Sequence, residues 1–112
     1  MDSAIPRKDL PPFHFAVSAT PTAFTVHVGG EVDLSTVGVL HARLTETELD
    51  GQTPVYLDLQ GLAFCDSRGG RVLLAFIQRA QQSGHQIAVG GATPTIKRLL
   101  SLIAGGDQPP FE

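Results

Sequence analysis

Hydrophobic positions along the chain follow two spacings, and each spacing predicts one kind of element. Apolar residues alternate with polar ones over 13–18, 24–28, 55–59 and 87–89, which is typical of strands with one buried face. Elsewhere the apolar residues recur every three or four positions, which is typical of amphipathic helices. Three such helices are predicted, and each lies between or after the strands.

The central helix is the strongest of the three predictions. Ser67 is expected to be its N-cap, because a serine hydroxyl can accept a hydrogen bond from a free backbone N–H of the first turn. Asp66 adds negative charge at the positive end of the helix dipole. The buried face is predicted from three residues in a row and two beside it: Val72, Phe76 and Ala80, flanked by Leu73 and Ile77. Gly84 is a suitable C′ residue for the end of this helix.

The other two helices carry similar start signals. The first is expected to begin after Ser35 as N-cap and to run to about Glu48. The last is expected to begin after Thr93 as N-cap, with Pro94 in the first helical position. Their predicted buried stripes are Val37, Leu40 and Leu44 in the first and Ile96, Leu99, Leu100 and Ile103 in the last.

The connections complete the predicted topology. The first two strands form a hairpin, Gly29-Gly30 breaks or bulges the second strand, and Leu62–Cys65 is a second apolar piece leading to Asp66. The order β-β-α-β-α-β-α implies parallel pairing with an antiparallel edge, hence an α/β fold with amphipathic helices packed on a mixed sheet. Residues 1–12 are expected to be a loose arm and 13–112 a single domain, with 104–112 irregular.

Composition narrows the function classes. With 112 residues and 42% hydrophobic content, the chain can bury a real core. A formal charge of −3 gives no electrostatic footprint for nucleic acid or an anionic membrane, and no apolar run is long enough to span a bilayer. The single cysteine, Cys65, suits a reducing cytoplasm, and its place at the end of a buried strand predicts a core thiol.

Several short motifs resemble one family when taken together. The stretch L-D-L-Q-G-L-A-F-C-D-S-R-G, at 57–69, resembles the pattern of the STAS domain, in which a strand with L-D-L leads through a loop to D-S-x-G and a helix. Gly30-Glu31-Val32-Asp33-Leu34 is similar to the family's G-E-L-D-L. The resemblance covers roughly 13–103 and implies the STAS-like mixed sheet.

The resemblance implies a function as well as a fold. STAS domains of this type are bacterial anti-sigma factor antagonists, which bind a serine-kinase anti-sigma factor and are released when that kinase phosphorylates the serine of D-S-x-G. Ser67 occupies that place. The implied partners are the kinase and a phosphatase that resets the switch, with no cofactor, no metal and no catalysis by the chain itself. Residues expected to contribute to partner binding are Asp33, Asp58, Asp66, Arg68, Gly69 and Gly70.

Each of these residues also has a purely structural interpretation. Ser67 can be an ordinary cap, Asp66 a dipole-stabilising residue, Asp33 a turn former and Asp58 a strand-end carboxylate. Arg68 can pair with a phosphate on Ser67, with an acidic partner, or with solvent alone.

Three residues around the motif depart from the family pattern. The family usually has a small residue where Arg68 stands and an aliphatic one where Gly70 stands, and Arg71 is also unusual. Glycines at 69 and 70 lower helix propensity by about 1 kcal/mol each relative to alanine, which predicts close packing or the approach of another surface. These departures motivate the alternative function, a non-switching STAS scaffold subunit of a signalling or lipid-transport complex.

Other chemistry finds little support in the sequence. His14, His27, His41 and His85 are scattered without metal-ligand spacing. The Gly90–Lys97 stretch has the wrong glycine–lysine spacing for a phosphate loop. A small hydrolase using Ser67 is a third possibility, but no G-x-S-x-G elbow or paired base accompanies that serine.

Overall fold

The computed structural model describes residues 12–112, so the predicted arm over 1–12 lies almost entirely outside the described residues. The element order is β-β-α-β-β-α-β-α. The strands are β1 (His14–Ala19), β2 (Phe24–Val32), β3 (Val55–Asp58), β4 (Leu62–Cys65) and β5 (Ile87–Gly90). The helices are α1 (Val37–Glu46), α2 (Ser67–Gln82) and α3 (Pro94–Ala104).

These strands form one mixed sheet, as the sequence predicts. β1 and β2 pair antiparallel as a hairpin, whereas β2–β3 and β3–β5 are parallel. The order across the sheet is β1-β2-β3-β5, and β4 pairs with β2 beyond the end of β3. β2 is therefore the longest strand and supports both pieces of the Val55–Cys65 segment.

β4 is a strand that the predicted element order omits. Only Leu62 and Cys65, at its two ends, are buried, so the stretch lacks the alternation that marks a strand in sequence. β4 exists because the far end of β2 offers it a partner, with Val32 opposite Cys65. The register shifts between Gly30 and Glu31, so the glycine pair bulges β2 without breaking it.

The core lies between one face of the sheet and the helices. The inward positions of the strands are almost fully buried, as predicted for Val26, Val28, Val55 and Leu57. α2 contacts both α1 and α3. Its buried residues are Gly69, Gly70, Leu73, Leu74, Phe76, Ile77 and Ala80. The buried face of α2 is therefore rotated slightly from the predicted one: Val72 is only half-buried at the margin of the face, and Leu74 is buried.

The helix boundaries confirm some sequence signals and correct others. Thr93 Oγ1 accepts a hydrogen bond from Ile96 N at 3.2 Å, so Thr93 is the predicted cap of α3. Gly84 follows α2 with φ of +87°, a conformation that favours glycine. α1 is preceded by Thr36, not capped by Ser35, and it ends at Glu46 before the predicted Glu48.

The C-terminal segment is irregular after α3, as expected, except at one point. Phe111 forms an isolated parallel bridge with Val89 on the outer edge of β5. Val89 N donates to Pro110 O at 2.9 Å, and Glu112 N donates to Val89 O at 2.8 Å. The end of the described chain therefore covers part of the sheet edge.

Candidate functional site

The candidate site lies where β2 and β4 end side by side. Val32 is the last residue of β2 and pairs with Cys65, the last residue of β4. Asp33 and Asp66 follow these two strands directly, and Asp66 N donates to Val32 O at 3.1 Å. The carboxyl ends of two parallel strands thus bring the two acidic motifs of the sequence to one edge of the sheet.

Asp66, not Ser67, is the N-cap of α2. Its Oδ1 accepts a hydrogen bond from Gly69 N at 3.1 Å, and its carbonyl accepts one from Gly70 N at 2.9 Å. The carboxylate oxygen, one bond farther from the backbone than a serine hydroxyl, reaches the third N–H of the helix while the backbone stays extended, with φ of −90° and ψ of −178°. The prediction that Ser67 caps the helix is wrong by one residue.

Ser67 is the first residue of α2 and is exposed. Its hydroxyl has no hydrogen-bond partner within residues 12–112, so capping does not occupy it. The hydroxyl is therefore open to another protein at the start of the helix. No histidine in the described part of the chain contacts it, so the geometry provides no base to activate it as a nucleophile.

Arg68 reaches back past Ser67 to the capping residue. Its Nη1 lies 3.3 Å from Asp66 Oδ2, and its side chain is 55% exposed. The contact is long for a charge-assisted hydrogen bond and open to water, so it holds the guanidinium weakly. Arg68 is thus a weakly held positive group beside the exposed hydroxyl.

The two glycines predicted to contribute to partner binding are buried. A Cβ on Gly69 would lie 2.5 Å from Val32 Cγ1 and 2.8 Å from Cys65 Sγ, and a Cβ on Gly70 would lie 2.7 Å from Ile103 Cδ1. The bare backbone therefore serves close packing of α2 on the sheet and on α3. Their side of the helix is turned away from the surface that carries Ser67.

Asp33 organises the neighbouring loop. Its Oδ1 accepts hydrogen bonds from Ser35 Oγ at 2.7 Å and Ser35 N at 2.9 Å, and these bonds lower the pKa of the carboxyl below its ordinary value. Thr36 Oγ1 donates to Glu31 O at 2.8 Å. Ser35 thus donates to Asp33 where a cap was predicted, and the loop before α1 is fixed beside the start of α2.

Asp58 lies away from this edge. It pairs with His27, five residues before the end of β2, which places it about 16 Å along the strand from Val32. Its Oδ2 is 2.9 Å from His27 Nδ1, and Ser18 Oγ is 3.2 Å from His27 Nε2. The expectation that Asp58 lies near Ser67 is not met, because β4 continues the segment past it. The Asp58 side chain instead links β3 to the hairpin.

Two exposed apolar side chains at the same edge were missed by sequence reasoning. Leu34 is 72% exposed directly after Asp33, and Phe64 is 48% exposed two residues before Asp66. Phe64 was placed in a buried apolar piece, and only the irregular burial of β4 reveals its exposure. Large apolar side chains at such positions are typical of protein-binding surfaces. We call Leu34, Phe64, Ser67 and Arg68 together the switch surface.

Cys65 lies beneath this surface and takes no part in it. The thiol is 8% exposed, and burial, with a smaller contribution from the Asp66 charge, raises its pKa to about 12. A thiol in that state is a weak nucleophile and a poor metal ligand. Within residues 12–112, no group of three or more histidine, cysteine or acidic side chains could hold a metal ion, and no helix has the length and apolar character to cross a membrane.

Comparison with known families identifies the domain. The family model described as "Mlab, STAS domain" matches residues 15–107. The chain belongs to the STAS domain family. The matched range contains every strand except the first residue of β1, all three helices and the whole switch surface, so the family resemblance seen in the motifs extends across the fold.

Known relatives and solved structures of STAS proteins are similar to this chain. The anti-sigma-B factor antagonist of Staphylococcus aureus is 29% identical over 79 residues, which cover 70% of this chain and 73% of that protein. An anti-sigma factor antagonist from Mycobacterium paratuberculosis has the same fold, with a TM-score of 0.72, 20% identity and coverage of 89% and 85%. The Bacillus cell fate determinant SpoIIAA in its phosphorylated form gives a TM-score of 0.62, 17% identity and coverage of 88% and 91%.

Proposed function

We propose that this STAS protein is an anti-sigma factor antagonist that binds a serine-kinase anti-sigma factor and releases it when Ser67 is phosphorylated. The observation that carries the proposal is the exposed hydroxyl of Ser67 at the first position of α2, which has no hydrogen-bond partner among the residues that the structure describes. It stands in the D-S-x-G motif of a chain whose curated relative is named an anti-sigma-B factor antagonist. The chain then acts by binding and is itself the kinase's substrate.

The switch surface accounts for binding in the unmodified state. Leu34 and Phe64 offer exposed apolar area at the sheet edge that also carries the small neutral hydroxyl of Ser67, so a partner can approach closely. A phosphate adds roughly −1.5 to −2 charge and three acceptor oxygens at that point. A partner surface that fits a hydroxyl then clashes with the larger, hydrated phosphate, and the complex is weakened.

The fold can carry this charge without unfolding. The start of a helix favours negative charge because its first N–H groups point outward and its dipole is positive there. Because Asp66 supplies the cap, modification of Ser67 removes no hydrogen bond of the folded domain. The modification therefore acts on the interface and leaves the domain intact.

The direct test is incubation of the purified chain with the serine-kinase anti-sigma factor of its own organism and ATP, followed by intact-mass measurement. One added phosphate is expected on the wild type and on Ser35→Ala, an exposed serine in the adjacent loop, and none on Ser67→Ala. No added phosphate on the wild type, or equal addition to Ser67→Ala, would refute the switch.

A binding measurement tests the apolar part of the surface. Leu34→Ser and Phe64→Ser are each expected to weaken binding of the same kinase by about tenfold, since each removes an apolar contact worth about 1–2 kcal/mol. Leu102→Ser is the matched control, because Leu102 on α3 is equally exposed at 72% and lies outside the switch surface. Equal losses for all three variants would contradict this docking surface.

A non-switching scaffold subunit remains the second candidate, and one observation favours it. Gly70 stands where antagonists usually carry an aliphatic residue and packs under Ile103 and Leu99 of α3, so the first turn of α2 departs from the antagonist pattern. A pull-down from native cells distinguishes the two functions. A transporter ATPase as the main bound protein supports the scaffold, and a kinase-type anti-sigma factor supports the switch.

A further inference from the structure

Two exposed arginines follow Ser67 in the first turns of α2. Arg68 follows it directly and already reaches back across it to Asp66. Arg71 is exposed and stands four residues after Ser67, which places the two side chains one helical turn apart, about 5–6 Å between Cβ atoms. Both guanidinium groups can therefore reach the space above the Ser67 hydroxyl.

In the described part of the chain, neither arginine is held firmly by another group. Arg68 makes a single 3.3 Å contact, and Arg71 forms no ion pair or side-chain hydrogen bond within residues 12–112. A guanidinium has five N–H donors in a planar fork, so most of the donors of this pair are available. Such unengaged arginines around a serine are the arrangement that binds a phosphate group.

We propose that Arg68 and Arg71 hold the phosphate of phosphorylated Ser67, with Arg68 leaving Asp66 to do so. The inference rests on the proposed phosphorylation of Ser67 and concerns how the modified state is kept. In the unmodified state, two positive charges and the Asp66 carboxylate leave this turn slightly positive. Phosphate reverses that sign, and the arginines offset the repulsion between phosphate and Asp66.

We call Arg68 and Arg71 around the phosphate the clamp. It gives a role to two residues that depart from the family pattern. A small residue in place of Arg68 would leave the phosphate exposed to water and next to Asp66. With the clamp, the dianion is stabilised relative to the monoanion, and its oxygens are partly engaged by the chain itself. The phosphorylated form of Ser67 is therefore stabilised by the chain itself.

The test places phosphoserine at position 67 during translation with an expanded genetic code, so that no kinase is needed. The ionisation of the phosphate is then followed by phosphorus NMR as pH is varied. The midpoint in the otherwise unaltered chain is expected about half a pH unit below that of the Arg68→Ala/Arg71→Ala double variant, because nearby cations favour the dianion. Each single variant should fall between them.

Controls separate charge at this site from general effects. Arg98→Ala, an exposed arginine on α3, is expected to leave the midpoint unchanged, and Arg68→Lys/Arg71→Lys should keep most of the difference. Raising salt to about 1 M should reduce the difference, since exposed ion pairs are screened. Thermal melting of the unmodified variants verifies that all of them fold.

Equal midpoints for the phosphorylated parent chain and the folded double-alanine variant would overturn the clamp. If the kinase still phosphorylates Ser67, only this inference fails and the proposed function stands. If the midpoints differ as expected but no kinase of the organism modifies Ser67, the proposed function fails, and with it the biological use of the clamp.

Discussion

Asp66 and Ser67 are adjacent, yet the fold gives them separate tasks. The longer acidic side chain reaches back to Gly69 N and fixes the start of α2, while the hydroxyl beside it stays free. This division allows one residue to be modified without disturbing the other. Under the proposed phosphorylation, a serine that both capped the helix and carried the phosphate would lose its cap whenever it was modified.

The division predicts unequal effects of two alanine substitutions on stability. Asp66→Ala should lower the free energy of unfolding by about 1 kcal/mol, because a Gly69 N–H loses its acceptor. Ser67→Ala should change it by less than about 0.5 kcal/mol, since the side chain is exposed and unbonded. Urea unfolding measures both, and a larger loss for Ser67→Ala would contradict the assignment of the cap.

Cys65 is predicted to react slowly despite lying next to the switch surface. Its pKa of about 12 means that the folded chain holds little thiolate at neutral pH. Labelling with a thiol reagent at pH 8 should be many times slower than in urea. Because the folded pKa is raised, the stability due to the neutral thiol is complete below about pH 8.5, the ordinary value, and declines as pH rises toward 12. Fast native labelling would show that Cys65 is more open than described.

At the scale of elements, the position of α2 depends on the absence of side chains at Gly69 and Gly70 in its first turn. Gly69 lies on Val32 and Cys65, and Gly70 lies under Ile103, so the helix approaches the sheet and α3 too closely for a Cβ. Intrinsic propensity disfavours both glycines by about 1 kcal/mol each. Close packing explains why they stand there, and the switch surface is displayed on the opposite side as a result.

Substitution of alanine at two glycines tests this packing. Gly69→Ala should destabilise the fold by about 1–3 kcal/mol, since the added methyl group meets Val32 and Cys65 in the core. Gly38→Ala is the matched control, because nothing lies within 4 Å of the added atom on the exposed side of α1. The control should gain up to about 1 kcal/mol. Similar stabilities for the two variants by chemical denaturation would contradict tight seating of α2.

At the scale of the molecule, the sheet determines which residues can meet. β2 spans both halves of the sheet, pairing with β3 over its first part and with β4 over its last. Asp58 and Asp66 are eight positions apart in sequence but belong to different halves of the sheet. Asp58 therefore links β3 to β2, and Asp66 caps α2. At the outer edge of β5, Val89 N donates a hydrogen bond to Pro110 O, and Val89 O accepts one from Glu112 N.

Removal of the last four residues, 109–112, tests the contribution of that edge. The truncated chain should lose at least about 2 kcal/mol of stability, because two backbone hydrogen bonds of about 1 kcal/mol each are lost together with the packing of Phe111 on the core. It should also self-associate more, because an uncovered strand edge can pair with another chain. Glu112→Ala keeps the backbone bonds and removes only the exposed hydrogen bond that Tyr56 OH donates to the Glu112 carboxylate at 2.8 Å, so it should lose at most about 1 kcal/mol and should sediment like wild type. An unchanged truncated chain would show that the bridge contributes nothing.

The local patterns of the sequence predicted the α/β fold class, the hairpin and the cap at Thr93, since periodicity, caps and turns act between residues close in the chain. Tertiary structure alone decided the existence of β4, the burial of Gly69 and Gly70, the exposure of Phe64 and the distance of Asp58 from Ser67. Each of these depends on a partner far away in sequence, such as Val32, Ile103 or His27. Pairing across the sheet and packing between layers are not encoded in the spacing of neighbouring residues.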